Sequence, residues 1–131
     1  MNPTILMVDD DPDYSAILRA WLGPFYDVHA FPNGAEFLGA LSKFVPELVI
    51  LDLYLPDADG FELCRRLHAV PGLERTPVLF LTGSDLRDDY RKSMVAGGDT
   101  YLMKPVSRSQ LLAAISGLLP QPSMQDDGGG G

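Results

Sequence analysis

Cysteine is nearly missing: Cys64 is the only one in 131 residues, which excludes an intramolecular disulfide and leaves nothing that points to an oxidising compartment. Basic residues are scarce as well, ten against 18 acids, for a formal charge of −8. Phosphate backbones and anionic membranes are bound by clustered Lys and Arg, and the longest basic groupings here are the pairs Arg65-Arg66 and Arg91-Lys92, each read as a solvated helix face. No direct nucleic-acid binding and no membrane surface are expected. No stretch approaches the ~18 consecutive apolar residues of a membrane helix, and Met1 to Thr4 lead straight into a short apolar run rather than a basic, then long apolar, leader. The expected location is the cytoplasm.

What the chain does have is apolar content, 46%, in short runs broken by turn residues, enough for one domain with a real core. Ile5–Val8 reads as a strand, followed by three acids and Pro12. Asp11 caps a helix there, Pro12 suits its first turn, and Tyr14, Ile17, Leu18, Trp21 and Leu22 recur on one face up to Gly23-Pro24. Tyr26–Phe31 is a second strand. Phe37, Leu38, Leu41 and Phe44 mark a second helix, and Leu48–Leu51 is a third strand, closed by Asp52 and the turn from Pro56 to Gly60. A third helix carries Phe61, Leu63, Cys64 and Leu67, and a fourth strand covers Pro77–Leu81. The fourth helix, Asp85–Ala96, places Leu86, Tyr90, Met94 and Val95 on one side, with Gly97-Gly98 as its stop. Thr100–Met103 is a fifth strand, and Ser107 caps a last helix bearing Leu111, Leu112, Ile115, Leu118 and Leu119. Strict alternation of strand and helix implies an α/β fold with a parallel sheet covered on both faces. The domain is expected over residues 1–120. Residues 121–131, ending in four glycines, are expected to be a flexible tail or linker, and Asp126 and Asp127 are only two of the 18 acids, so the acidity belongs to the domain.

Polar side chains stand at the carboxyl ends of four strands: Asp9 and Asp10, Asp52, Thr82 and Lys104. In an open parallel sheet those ends converge, and ligands gather there. Taken singly, each is an ordinary turn or surface residue, but turns do not require three acids, a hydroxyl and an amine at one rim. Carboxylates 4 Å apart repel by about 4 kcal/mol per pair at an intermediate dielectric, so a cation is needed, and an all-oxygen donor set favours Mg²⁺ over zinc. Lys104 and Thr82 suit the oxygens of a phosphoryl group. The combination is one for phosphoryl transfer to a carboxylate.

These residues resemble the receiver domains of two-component response regulators, of the chemotaxis-regulator kind. The resemblance runs from Thr4 to about Leu119, through the acid pair of Val-Asp-Asp-Asp-Pro (8–12), Leu-Asp-Leu-Tyr-Leu-Pro-Asp-Ala-Asp-Gly (51–60), Leu-Thr-Gly (81–83) and Gly-Gly-Asp-Thr-Tyr-Leu-Met-Lys-Pro (97–105). It implies a flavodoxin-like, doubly wound (βα)5 three-layer sandwich with strand order 2-1-3-4-5. It also implies that Asp52 is the phosphoacceptor, taking its phosphoryl group from a sensor histidine kinase or a histidine phosphotransfer protein. Asp10 and Asp52 would ligate Mg²⁺ together with the Tyr54 backbone carbonyl, and Asp9 would act mainly through water. Thr82 would bond the phosphoryl group and Lys104 would pair with it, beside a cis peptide at Lys104-Pro105. Tyr101 would relay the state of Thr82 to an output face made by the fourth helix, fifth strand and fifth helix, which would meet a downstream protein, an output domain or, on phosphorylation, a second copy. Tyr54 and Ser84 flank the path of hydrolytic water in such domains. Gly83, Gly98 and Val106 depart from the commonest family residues; none of the three touches the chemistry.

His29 and His68 are expected to be structural, Cys64, Met94 and Met103 to fill space, and Asp57 and Asp59 to form a turn and a helix cap outside the site. The leading function is a phosphorylation-controlled interaction module rather than an enzyme. The alternatives are a small Mg²⁺-dependent phosphohydrolase with an aspartyl-phosphate intermediate, for which Asp57 lies too far into its loop to serve as general acid, and a phosphorylation-independent scaffold on the same fold. The chain reads equally as a complete single-domain regulator or as one module of a longer protein.

Overall fold

A computed structural model describes residues 2–119; the expected tail lies outside them. Ten elements alternate without exception: β1 (Thr4–Val8), α1 (Pro12–Leu22), β2 (Asp27–Phe31), α2 (Gly34–Ala40), β3 (Leu48–Leu51), α3 (Gly60–His68), β4 (Val78–Thr82), α4 (Arg87–Val95), β5 (Thr100–Met103) and α5 (Arg108–Leu118). All strand pairs are parallel, and the sheet order is β2-β1-β3-β4-β5, as expected from the resemblance.

The pleat sorts the central strands onto two faces. Leu6, Val8, Val49, Leu51, Val78 and Phe80 point to one side and meet Phe37 of α2 and Leu63, Cys64 and Leu67 of α3. Ile5, Met7, Leu48, Ile50, Leu79 and Leu81 point to the other and meet Leu18 and Leu22 of α1 and Leu111 and Ile115 of α5. Both layers are dry, which is why β1, β3 and β4 read as continuous apolar runs rather than alternating ones.

Two helical faces differ from the expected ones. In α1 the buried positions are Ser15, Leu18 and Leu22, while Ile17 is half exposed, because the helix packs through the 15-18-22 spacing. In α4 the expected apolar stripe points largely outward: Leu86, Tyr90 and Val95 are exposed and Met94 is partly buried, whereas Asp89, Ser93 and the following Ala96 are buried. Polar partners hold that helix, as described below. The α2 helix proper ends at Ala40, and backbone bonds from Lys43 and Phe44 to the Ala40 carbonyl, both 2.9 Å, carry the chain on, so Leu41 and Phe44 still pack with Phe37 and Leu38. Gly97 closes α4 at φ +114°, a left-handed conformation that favours glycine.

His29 lies in β2, 3.1 Å from Asp27 and tilted on the Phe44 ring; His68 ends α3, with Nε2 2.9 Å from the Thr76 carbonyl. Cys64 is fully buried, donates to the Ala96 carbonyl, and has its thiol pushed up to about 11 by burial. Among the described residues no helix is long and apolar enough to cross a membrane.

Candidate functional site

Strand register assembles the rim. Val8 pairs with Leu51, so Asp9 and Asp52 leave their strands level with each other, and the Asp52 N–H extends the ladder by donating to the Val8 carbonyl at 3.1 Å. Thr82 pairs with Met103, so Lys104 follows directly, its N–H donating to the Thr82 carbonyl at 2.8 Å. The Lys104-Pro105 peptide is cis, as the resemblance implies.

The three acids do converge. One carboxylate oxygen from each of Asp9, Asp10 and Asp52 lies within 4.8 Å of the others, with Asp9 and Asp52 buried and Asp10 open to solvent. The Lys104 ammonium enters between the buried pair, 2.6 Å from Asp9 Oδ2 and 3.0 Å from Asp52 Oδ2, and lies 4.8 Å from the centre of the Tyr14 ring. Burial pushes Asp9 above the ordinary carboxylate range, and the bonds from Lys104 and from the Asp11 N–H offset only part of that. Burial alone would pull Lys104 down, but its bonds to Asp9 and Asp52 outweigh it and hold the ammonium above its usual range. Three carboxylates against one ammonium leave two negative charges in a pocket of oxygen donors with one open side. That donor set fits a hard divalent cation that keeps part of its water.

Thr82 is 1% exposed, and its Oγ1 is the one buried side-chain polar atom among the described residues without a hydrogen-bond partner. A buried hydroxyl is normally satisfied, so an orphan at the end of β4, one strand from Asp52, marks a position for a ligand oxygen. Tyr54 is brought in through its backbone, whose N–H points at Asp52 Oδ1 at 3.4 Å, and its ring is largely exposed. Tyr101 is half buried; its hydroxyl donates to the Ser84 carbonyl at 2.7 Å, and its ring meets Tyr90 edge-on at 5.6 Å. Asp59 caps α3 by accepting from the Glu62 N–H at 2.8 Å. Asp57 caps a different helix, accepting from the Gly34 and Ala35 N–H groups at 2.8 and 2.9 Å, which lowers its pKa. Its carboxylate is thereby committed to α2.

Two participants were not singled out for the site from sequence. Tyr14 was assigned to the core face of α1, yet its ring faces the Lys104 ammonium and its hydroxyl faces the Val106 N–H at 3.4 Å. Asp89 carried no signal at all: it stands in the polar part of a helix, and only the fold turns it inward. There its Oδ2 accepts from the Ser84 hydroxyl at 2.6 Å and in a short bond from the Tyr54 hydroxyl. The bonds from Ser84 and then Tyr54 lower the Asp89 pKa, and the bond to Asp89 raises that of Tyr54.

Known proteins show the same arrangement of chain. The Transcriptional regulatory protein GltR of Pseudomonas aeruginosa is 38% identical over 128 residues, covering 97% of this chain and 53% of its own. A 14.6 kDa protein of Leptolyngbya boryana is 36% identical, with 85% of this chain and 86% of its own covered. A CheY-like response regulator receiver domain protein from Methanospirillum hungatei superimposes with a TM-score of 0.83 at 29% identity, over 89% of this chain and 93% of its own. The chain spans about half the length of the transcriptional regulators it matches. The family model for the response regulator receiver domain matches residues 5–116, and the chain belongs to that family.

Proposed function

We propose that Asp52 is the residue of this receiver domain that accepts the phosphoryl group. The observation that carries this is the meeting of Asp52 with two further carboxylates, the Lys104 ammonium and the unpartnered Thr82 hydroxyl at one sheet edge. A carboxylate oxygen of Asp52 attacks the phosphorus of a phosphohistidine on a sensor kinase or phosphotransfer protein; the P–N bond breaks, and the histidine nitrogen keeps the electron pair. Asp10, Asp52 and the Tyr54 carbonyl, with Asp9 acting through water, would hold Mg²⁺, which would supply charge neutralisation for the transferred oxygens. Lys104 exchanges a carboxylate partner for a phosphoryl oxygen, and the Thr82 hydroxyl donates to another.

The added group brings roughly −1.5 to −2 charge units next to Lys104 and Thr82. Movement of Thr82 toward it shifts the loop that holds the Tyr101 hydroxyl, and Tyr101 relays the change to the face of α4, β5 and α5. That face meets a downstream protein, an output domain or a second phosphorylated copy. The domain acts as a switch, not a turnover enzyme, in the cytoplasm, and makes no direct contact with nucleic acid. Residues 1–120 form the receiver and 121–131 its tail or linker.

Incubation of the chain with Mg²⁺ and a small acyl phosphate, followed by intact-mass measurement, tests the assignment. The expected result is a gain of one phosphoryl group that is lost in Asp52→Asn and without Mg²⁺. No gain in the wild type, or an undiminished gain in Asp52→Asn, would overturn it.

A further inference from the structure

The carboxylate of Asp89 is unlike the other acids of α4. Asp88 is exposed and pairs with Arg91 and Lys92 on its own helix, whereas Asp89 is 6% exposed and bonds outward to two different loops. One partner, Tyr54, lies two residues beyond Asp52; the other, Ser84, lies two residues beyond Thr82. Ser84 is held from three sides: its hydroxyl donates to Asp89 and accepts from the Leu86 N–H at 3.2 Å, and its carbonyl accepts from Tyr101. The other buried side chain of the helix is polar as well: the Ser93 hydroxyl donates to the Asp89 carbonyl within α4 at 2.8 Å. Directional bonds of this kind hold one arrangement and are lost together when it shifts.

We propose that Asp89 is a positioning residue for phosphoryl transfer: by accepting the Tyr54 and Ser84 hydroxyls it clamps the loops that follow Asp52 and Thr82 to α4, holding the resting position and restraining approach to the acceptor. The kinetic part of this inference rests on Asp52 being the phosphoacceptor; the clamp itself does not. Asp89 touches neither the phosphoryl group nor the metal site, and acts through Tyr54 and Ser84 alone. Because Tyr54 offers the metal only its backbone, Tyr54→Phe removes the Tyr54 arm of the clamp without altering the proposed ligands.

The test uses the whole chain as wild type, Tyr54→Phe, Asp89→Ala and the double variant, with two readouts. Before any donor is added, amide exchange over residues 84–93 is expected to quicken about three- to tenfold in Tyr54→Phe, the size of one net hydrogen bond. With Mg²⁺ and a small acyl phosphate, phosphoryl uptake is expected to rise by a similar factor in Tyr54→Phe, by at least as much in Asp89→Ala, which also frees Ser84, and by no more in the double variant than in Asp89→Ala, because that variant already lacks the Tyr54 bond. Tyr54 is exposed, so Tyr54→Phe carries the test even where Asp89→Ala is too unstable to purify. Unchanged exchange, uptake altered by less than about twofold, or effects that multiply in the double variant would overturn the clamp. A wild type that takes up no phosphoryl group while exchange still responds to Tyr54→Phe would overturn the phosphoacceptor assignment and leave the clamp standing.

Discussion

Helices α3 and α4 are nine residues each, and both end against the same core layer, yet they are attached by opposite means. The α3 helix buries Leu63, Cys64 and Leu67 and is capped by the Asp59 side chain. The α4 helix buries Asp89 and Ser93, has Leu86 at its cap position with no side-chain bond there, and leaves Tyr90 and Val95 exposed. Apolar burial is non-directional and tolerates small shifts, whereas hydrogen bonds favour one position and lapse away from it. So α3 serves as fixed support for the Asp52 loop, and α4 is an element that a few polar groups can hold or release.

The sharpest way to break that contrast is to remove apolar contact from α3. Leu67 is fully buried among Val49, Val78 and Phe80 of the same cluster, and Leu67→Ala should cost about 2–5 kcal/mol, from lost transfer energy and the cavity left behind. Denaturant unfolding is the measurement, and a loss no larger than that of a surface variant would show that α3 is not held as described.

A smaller effect is expected where α4 meets the sheet. A Cβ added to Gly98 would come 2.6 Å from the buried Phe80 ring and 2.9 Å from the Ser93 carbonyl. The Phe80 ring fills the space that an alanine methyl would take. Gly98→Ala should destabilise by about 1–3 kcal/mol through overpacking. Phe80→Leu should absorb part of that, so that the pair loses at least about 1 kcal/mol less than the sum of the singles. Additive losses would mean that ring and backbone are not in competition.

The same contrast explains what could be read from the sequence. The strands and the five rim residues were legible because four of the five strand ends combine an apolar run with a polar residue, and the strand order through the family resemblance that the motifs carry; Val8-Asp9 and Leu51-Asp52 needed only a parallel register to meet. The α3 face was legible because apolar burial leaves a periodic trace. The α4 face was not, because periodicity assigns apolar residues inward, and here Asp89 and Ser93 are buried while Tyr90 and Val95 are exposed. Whether a helical aspartate faces solvent or a pair of hydroxyls from distant loops depends on tertiary placement, which no local pattern encodes. Asp57 was seen as a turn acid for a similar reason: its partners, Gly34 and Ala35, are more than twenty residues away.

The smallest effect expected is the most specific test of how α4 sits. Leu86 and Val95 are 58% and 83% exposed. Had they faced the core, truncation would carry the cost of a buried aliphatic chain, about 2–5 kcal/mol for leucine. On the exposed face, Leu86→Ala and Val95→Ser should each leave unfolding free energy within about 0.5 kcal/mol of the wild type. Their phosphoryl uptake should match the wild type as well, because neither side chain takes part in the Tyr54–Asp89–Ser84 bonds. A loss above about 2 kcal/mol in either would return the apolar stripe to the interior and with it remove Asp89 from its buried seat. The orientation of this one helix therefore decides between an α4 held by packing and an α4 held by the groups that border the phosphoacceptor.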